Sequence, residues 1–184
     1  MGLHVSILGA VDEAVDRAVE RGCTTFQIFT RNPRGWKFKD LGPEDVANFR
    51  RKVEANVFKV TFSHMPYLPN LSSTKHGTYV RSRQSLVAEL RRCGQLKMPY
   101  LVTHLGSHLG AGKEAGLKKI ISAVNNAFSG VENEVTLLLE NTAGTKNSMG
   151  SSLRDMENII NGIDEADRVG ACLDTYHAFA AGYD

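Results

Sequence analysis

VTLLLEN, residues 135–141, is an uninterrupted apolar run that ends in a carboxylate and an amide. A strand that is apolar on both faces is typical of a parallel sheet covered by helices, because an antiparallel sheet usually turns one face to water. Five more short runs rich in apolar and β-branched residues follow the same rule. They are HVSIL (4–8), TTFQIFT (24–30), KVTFSH (59–64), YLVTH (100–104) and VGACLD (169–174).

Longer segments with helical apolar periodicity separate these runs, as in DEAVDRAVERG (12–22) and YVRSRQSLVAELRRCGQL (79–96). We therefore predict an α/β fold of about six strands with five intervening helices. The alternation leaves two architectures open, an open doubly wound sheet and a closed barrel. The length of 184 residues and the 42% hydrophobic content suit one domain over residues 1–184.

The cysteine content and the lack of long apolar runs indicate the kind of compartment in which the protein works. The three cysteines, Cys23, Cys93 and Cys172, are far apart, which argues against a disulfide framework and for a reducing compartment. The amino terminus does not resemble a signal peptide, and no apolar run is long enough to cross a membrane, so we expect a cytoplasmic protein without a membrane partner.

Charge is unevenly distributed along the chain. Residues 1–119 contain 19 Lys and Arg against 10 Asp and Glu, whereas residues 120–184 contain 3 against 10. A basic amino-terminal part suits a polyanionic partner, although sign asymmetry alone is weak support.

The predicted strands end in residues that bind metals. His64, His104, Glu140 and Asp174 each close a strand, at separations of one strand-helix unit, and His177 follows shortly after. The carboxyl ends of parallel strands meet at one edge of the sheet, where active sites form. Imidazole and carboxylate ligands without a thiolate suit zinc or manganese, and paired metals commonly activate water against a phosphodiester.

Four motifs resemble those of the endonuclease IV family of apurinic/apyrimidinic (AP) endonucleases: FSHMPYLPNL, THLGSHLG, LLLENTAG and CLDTYHAFAAGYD. The resemblance implies a TIM (β/α)8 barrel of the xylose isomerase type. It also implies a zinc-dependent DNA-repair hydrolase with three zinc ions. Such an enzyme acts as a monomer on duplex DNA, cutting 5′ to abasic sites to leave a 3′-hydroxyl and a 5′-deoxyribose phosphate.

The resemblance assigns roles to individual residues. His64 and His104 would bind the first zinc, and the catalytic Glu140 would bridge the first and second. Asp174 would bind the second zinc and His177 the third. The family takes its other ligands from later strands, so this sequence supplies all protein ligands for one zinc and part of the sets for the other two.

The resemblance also implies DNA contacts by Arg34, Tyr67 and Leu68, which match loop residues that enter the minor groove. Aromatic and apolar wedges can unstack base steps, and a basic loop can hold phosphates. From the residues alone, loop packing is the favoured interpretation of Tyr67 and Leu68, and Trp36 is interpreted as an anchoring aromatic. We expect His4, His108 and Cys172 to lie outside the ligand set.

A barrel of this type normally needs eight strand-helix units, so we expect an incomplete barrel, truncated at the carboxyl end. A fragment of a longer product is the favoured explanation; a second chain or a degenerate relative are the others. Two alternative functions also remain. One is a sugar isomerase or epimerase on the same barrel plan, and the other is a non-catalytic module that binds DNA and zinc.

Overall fold

The computed structural model describes all residues, 1–184, and contains a six-stranded sheet with helices between the strands. The strands are β1 (Gly2–His4), β2 (Thr25–Ile28), β3 (Val60–His64), β4 (Tyr100–His104), β5 (Thr136–Glu140) and β6 (Val169–Cys172). The helices are α1 (Glu13–Glu20), α2 (Pro43–Glu54), α3 (His76–Leu96), α4 (Lys113–Phe128), α5 (Leu153–Asn161) and α6 (Thr175–Ala180). A 3₁₀ turn, Ala166–Arg168, precedes β6.

Strand order decides between the two predicted architectures. Every strand pairs in parallel with the next one in sequence, from β1 to β6. A doubly wound sheet reverses its order at a switch point, whereas a barrel adds each strand on the same side. The sheet is therefore of the TIM-barrel type, with six strands in place of eight, and the predicted fold class is confirmed.

Local sequence explains where the helices begin and end. Pro43 opens α2, where its missing N–H costs nothing, and Glu44 and Asp45 follow in the first turn, near the positive end of the helix dipole. Gly22 follows α1 with a φ of 63°, a left-handed conformation that favours glycine. None of the helices is both long and apolar enough to cross a membrane.

The core lies between the sheet and its helices. Thirty buried residues form one apolar cluster, in which Leu137 and Leu139 of β5 pack with Leu90 of α3 and Ile120 of α4. Because side chains alternate along a strand, Glu140 faces away from the side on which Leu137 and Leu139 lie. The helix-facing residues build the core and leave the opposite face for the site.

Candidate metal centre

Three consecutive strands end in the same cluster of side chains. His64, His104 and Glu140 are the last residues of β3, β4 and β5, and His104 is the register partner of Glu140. The Nε2 atoms of His64 and His104 lie 2.9 and 3.5 Å from Oε2 of Glu140. One potential ligand atom from each residue lies within 4.8 Å of the others. The sheet therefore gathers the three residues predicted to hold the first zinc.

A second group shares Glu140. Together with Asp174 and His177 it again offers potential ligand atoms within 4.8 Å of one another. Nδ1 of His177 lies 3.5 Å from Oε1 of Glu140 and 3.7 Å from Oδ2 of Asp174. The two oxygens of Glu140 thus face different groups, which is the arrangement that a bridging carboxylate requires.

The imidazole of His64 is oriented for a cation. Its Nδ1 lies 2.7 Å from the backbone carbonyl of Met65, and since a carbonyl only accepts, this nitrogen carries the hydrogen. Its Nε2 is directed at a carboxylate oxygen of Glu140, 2.9 Å away, so a proton or a cation must lie between the two atoms. Donation from the distal nitrogen to a backbone carbonyl is also the usual support of a metal-binding histidine.

The surroundings of His104 also favour a metal-binding imidazole. Burial lowers the pKa of His104, with further lowering by His64 and His177, while Glu140 and Asp174 oppose the shift. A lowered pKa favours the neutral imidazole, which is the form that binds metals. Burial, together with the charges of Glu140 and Asp174, raises the pKa of Cys172, which keeps that residue a thiol.

Asn141 connects the ends of β5 and β6, a role that the sequence analysis did not assign. Its side-chain nitrogen donates to the Asp174 carbonyl at 2.9 Å, and its side-chain oxygen accepts from the Asp174 backbone N–H at 2.6 Å. Its own carbonyl lies 3.0 Å from Nδ1 of His177, and a hydrogen on Nδ1 that donates to this carbonyl leaves Nε2 as the ring nitrogen for a ligand. Asn141 therefore positions Asp174 and His177, the two residues that join Glu140 in the second group. Its position next to Glu140 was the only signal in the sequence.

The second group is built on a helix start, not on the predicted strand end. β6 ends at Cys172, and Asp174 caps α6, where its Oδ1 accepts from the backbone N–H of His177 at 2.8 Å. Asp174 thus fixes the start of the helix with one oxygen and has the other left for a ligand.

The residues predicted to contact DNA lie on two loops that touch. Arg34 is exposed on the loop after β2, and the side chains of Tyr67 and Leu68, on the loop after β3, are 60% and 39% exposed. The backbone N–H of Tyr67 donates to the carbonyl of Pro33 at 3.0 Å. Phe29 contacts both Tyr67 and His64, with ring centroids 5.1 and 5.7 Å apart. This aromatic links the loops to the histidine cluster and was missed from sequence.

Two other histidines, His4 and His108, are not members of either group. His4 ends β1, where its Nδ1 lies 2.6 Å from the side-chain nitrogen of Gln27. His108 is buried and accepts from two backbone N–H groups, those of Gly110 and Gly112. The guanidinium of Arg81 on α3 lies 4.9 Å from the ring centroid of Trp36, a contact that fits the anchoring role predicted for this aromatic.

Comparisons with known proteins agree with this geometry. The family described as Xylose isomerase-like TIM barrel matches residues 15–184. A protein named probable endonuclease 4 from Methanoculleus marisnigri is 55% identical over the whole chain. The crystal structure of endonuclease IV from Thermus thermophilus superimposes with a TM-score of 0.86 at 34% identity, over 99% of this chain. A D-tagatose 3-epimerase-like protein, with a TM-score of 0.75 at 15% identity over 97% of this chain and 66% of its own, shows the fold alone.

Coverage is unequal in these comparisons. The chain spans 66% of the Methanoculleus marisnigri protein and 65% of the Thermus thermophilus one.

Proposed function

Because this chain belongs to the endonuclease IV family of xylose isomerase-like TIM barrels, we propose that it acts in DNA repair on duplex DNA that contains abasic sites. The reaction is hydrolysis of the phosphodiester 5′ to the abasic nucleotide, which leaves a 3′-hydroxyl and a 5′-deoxyribose phosphate. We expect the full-length protein to act as a monomer.

The metal in this proposal is zinc. Its ligands are His64, His104 and Glu140 at the first position, Glu140 and Asp174 at the second, and His177 at a third. Imidazole and carboxylate ligands in a partly buried, thiolate-free cluster fit this ion. Zinc supplies Lewis-acid chemistry, since it polarises a phosphoryl oxygen and makes water a better nucleophile at neutral pH.

The protein groups orient this chemistry. Glu140 is buried, with 7% of its surface exposed, so its carboxylate needs a compensating charge or hydrogen bonds. The backbone carbonyls of Met65 and Asn141 hold the rings of His64 and His177. Groups held in fixed positions in a partly desolvated site interact more strongly than the same groups in water.

DNA recognition falls to the two touching loops. Tyr67 and Leu68 present exposed apolar surface beside the histidine cluster, which suits insertion next to an abasic gap where a base is missing from the stack. Arg34 provides a cation for the phosphate backbone without reading sequence.

The main observation behind the proposal is that the two carboxylate oxygens of Glu140 face different histidines. One oxygen faces His64 and His104 while the other faces His177, on a scaffold whose neighbouring loops expose Tyr67 and Leu68. A single structural ion or a small-sugar pocket would not call for both features.

The test uses two duplexes that differ only in one abasic nucleotide. With zinc present, the protein should bind the abasic duplex more tightly than the intact one, and any cut should lie 5′ to the lesion with a 3′-hydroxyl end. A chelator should abolish cutting. Equal affinity for the two duplexes would contradict the proposal, and a preference for abasic DNA without cutting would favour the non-catalytic module.

A further inference from the structure

A buried ion pair lies beneath the loop that carries Arg34. Glu89 of α3 is fully buried and Arg31, just after β2, is 5% exposed, and Nε of Arg31 donates to Oε1 of Glu89 at 2.5 Å. The hydroxyl of Thr30 donates to the other carboxylate oxygen at 2.6 Å. Both oxygens of a helix carboxylate are thus used by two consecutive residues at the base of the loop.

The same arginine reaches over to the middle of the loop. Its remaining nitrogens donate to the hydroxyl of Ser85 at 2.5 Å and to the carbonyls of Gly35 and Trp36 at 3.3 and 3.4 Å. These two carbonyls directly follow Arg34 in the chain. Arg31 therefore joins α3 to the loop backbone next to the residue proposed to contact DNA.

A second arginine, Arg92 of α3, binds residues at both ends of the loop. Arg92 donates to the hydroxyl and the carbonyl of Thr30 at 2.8 and 2.6 Å, and to the carbonyl of Lys39 at 2.9 Å. The ring of Phe38 lies against both guanidinium groups, 4.4 Å from that of Arg31 and 5.7 Å from that of Arg92. Residues 30 and 39 are thereby tied to one side chain.

A contribution to overall stability is a poor explanation for the buried cluster of Arg31, Glu89 and Arg92. Residues 32–39 contain no helix or strand, so their carbonyls need partners from elsewhere. Desolvation of a buried ion pair can cancel its Coulomb attraction, and apolar residues of similar volume are often equally stable there. A buried charged cluster that donates to three carbonyls of this loop, and to the carbonyl of Thr30 just before it, specifies the conformation of the loop.

We propose that Arg31, Glu89 and Arg92 are positioning residues, which hold the loop of residues 32–39 so that Arg34 and Tyr67 meet the DNA together. This inference rests on the function proposed above. The connection to Tyr67 is direct, because its backbone N–H donates to the Pro33 carbonyl of the held loop. None of the three positioning residues touches the histidine cluster.

The loop carries its own reporter, since Trp36 is the only tryptophan of the chain. Its fluorescence anisotropy and its quenching by acrylamide measure the order of the loop without DNA or zinc. A role in global stability alone would leave both signals unchanged in the folded state.

The experiment compares Glu89→Gln with Glu114→Gln, a control in which an exposed glutamate pairs only with Lys118 on α4. In folded protein, Glu89→Gln should raise the acrylamide quenching of Trp36 and weaken binding to abasic duplex by on the order of tenfold to a hundredfold. Zinc content should stay at the unsubstituted value, because the histidine cluster is untouched. The control should match the unsubstituted protein in every signal.

Arg31→Lys keeps the proposal testable if Glu89→Gln fails to fold. Lysine keeps the charge but cannot reach Glu89, Ser85 and the loop carbonyls at once, so quenching should rise as well. Unchanged quenching and unchanged abasic-duplex affinity in a folded variant would overturn the proposal. If the unsubstituted protein fails to prefer abasic DNA, the proposed function fails, while the quenching of Trp36 still decides whether the cluster holds the loop.

Discussion

At the scale of single residues, function depends on side chains that serve two partners at once. Glu140 directs its oxygens to different histidines, and Asp174 caps α6 while retaining a free oxygen. Phe29 contacts a residue of the histidine cluster and a residue of the loop. A substitution at one of these residues should therefore disturb both of its contacts at once.

Tyr67 differs from these residues, because it is 60% exposed and its proposed role is DNA recognition. Tyr67→Ala should weaken binding to abasic duplex by about 1–3 kcal/mol, the usual contribution of one base–aromatic stack. Zinc content should be unchanged. Fluorescence titration with labelled duplex measures the first quantity and elemental analysis the second, and Tyr67→Phe is the matched control that keeps the ring. Parallel loss of zinc would mean that the loop supports the metal centre.

At the scale of elements, the sequence predicts where a strand ends when an apolar run stops at a polar residue. The ends of β3 and β4 coincide with those expected from KVTFSH and YLVTH, and β5 ends at the expected glutamate. In each of these three strands, the change from apolar to polar residues marks the last residue of the strand. The small-residue stretch after Asp174 gave no comparable pattern, so helix α6 was not predicted.

Contacts between distant elements could not be predicted. The paired hydrogen bonds of Asn141 to Asp174, 33 residues apart, depend on how β5 and β6 align. The buried pair of Arg31 and Glu89 spans 58 residues, and in the sequence both residues resemble ordinary charged surface positions. The positions of the predicted ligands could be inferred from sequence, whereas the groups that orient them could not.

Asn141→Ala tests the join between β5 and α6. Two backbone groups of Asp174 would lose partners, so we expect a loss of about 1–3 kcal/mol in the free energy of unfolding. Denaturant titration measures this, with the exposed Asn126→Ala as control. Asn141→Asp should fall between, because a carboxylate still accepts from the Asp174 N–H but no longer donates to its carbonyl. A loss no larger than in the control would contradict the assigned role.

Cys93 of α3 tests the packing of the helix layer. Complete burial, with a further contribution from Glu89, strongly raises the pKa of its thiol. The native thiol therefore keeps its proton as pH rises above its ordinary pKa, whereas the unfolded chain releases it, so stability should fall with pH in this range. At pH of about 8, thiol reagents should spare Cys93 in the native protein, as judged by mass spectrometry. Rapid native labelling would contradict the packing.

At the scale of the whole molecule, one apolar cluster of 30 residues supports the proposal that residues 1–184 form a single domain. Residues 1–119, which include the two loops proposed to contact DNA, contain 19 of the 22 Lys and Arg, whereas residues 120–184 contain 10 of the 20 Asp and Glu. This division along the chain favours binding of a polyanion by the amino-terminal part.

This division predicts a strong dependence of DNA affinity on salt. Release of counterions from contacted phosphates should lower the affinity for abasic duplex about tenfold or more between about 50 and 200 mM salt. The preference for abasic over intact duplex should change much less, since both duplexes lose the same phosphate contacts. Binding isotherms at several salt concentrations measure both trends, and salt-independent affinity would be incompatible with a phosphate-contacting basic surface.

The most direct test of the metal centre is the zinc content of the purified chain beside that of Glu140→Ala, measured by elemental analysis after dialysis. The arrangement of Glu140 between two groups predicts at least one zinc per unsubstituted chain and essentially none in the variant, because no other carboxylate joins His64 and His104. Chains that hold no zinc, or a variant that retains the full amount, would contradict the claim that the strand ends form a zinc site.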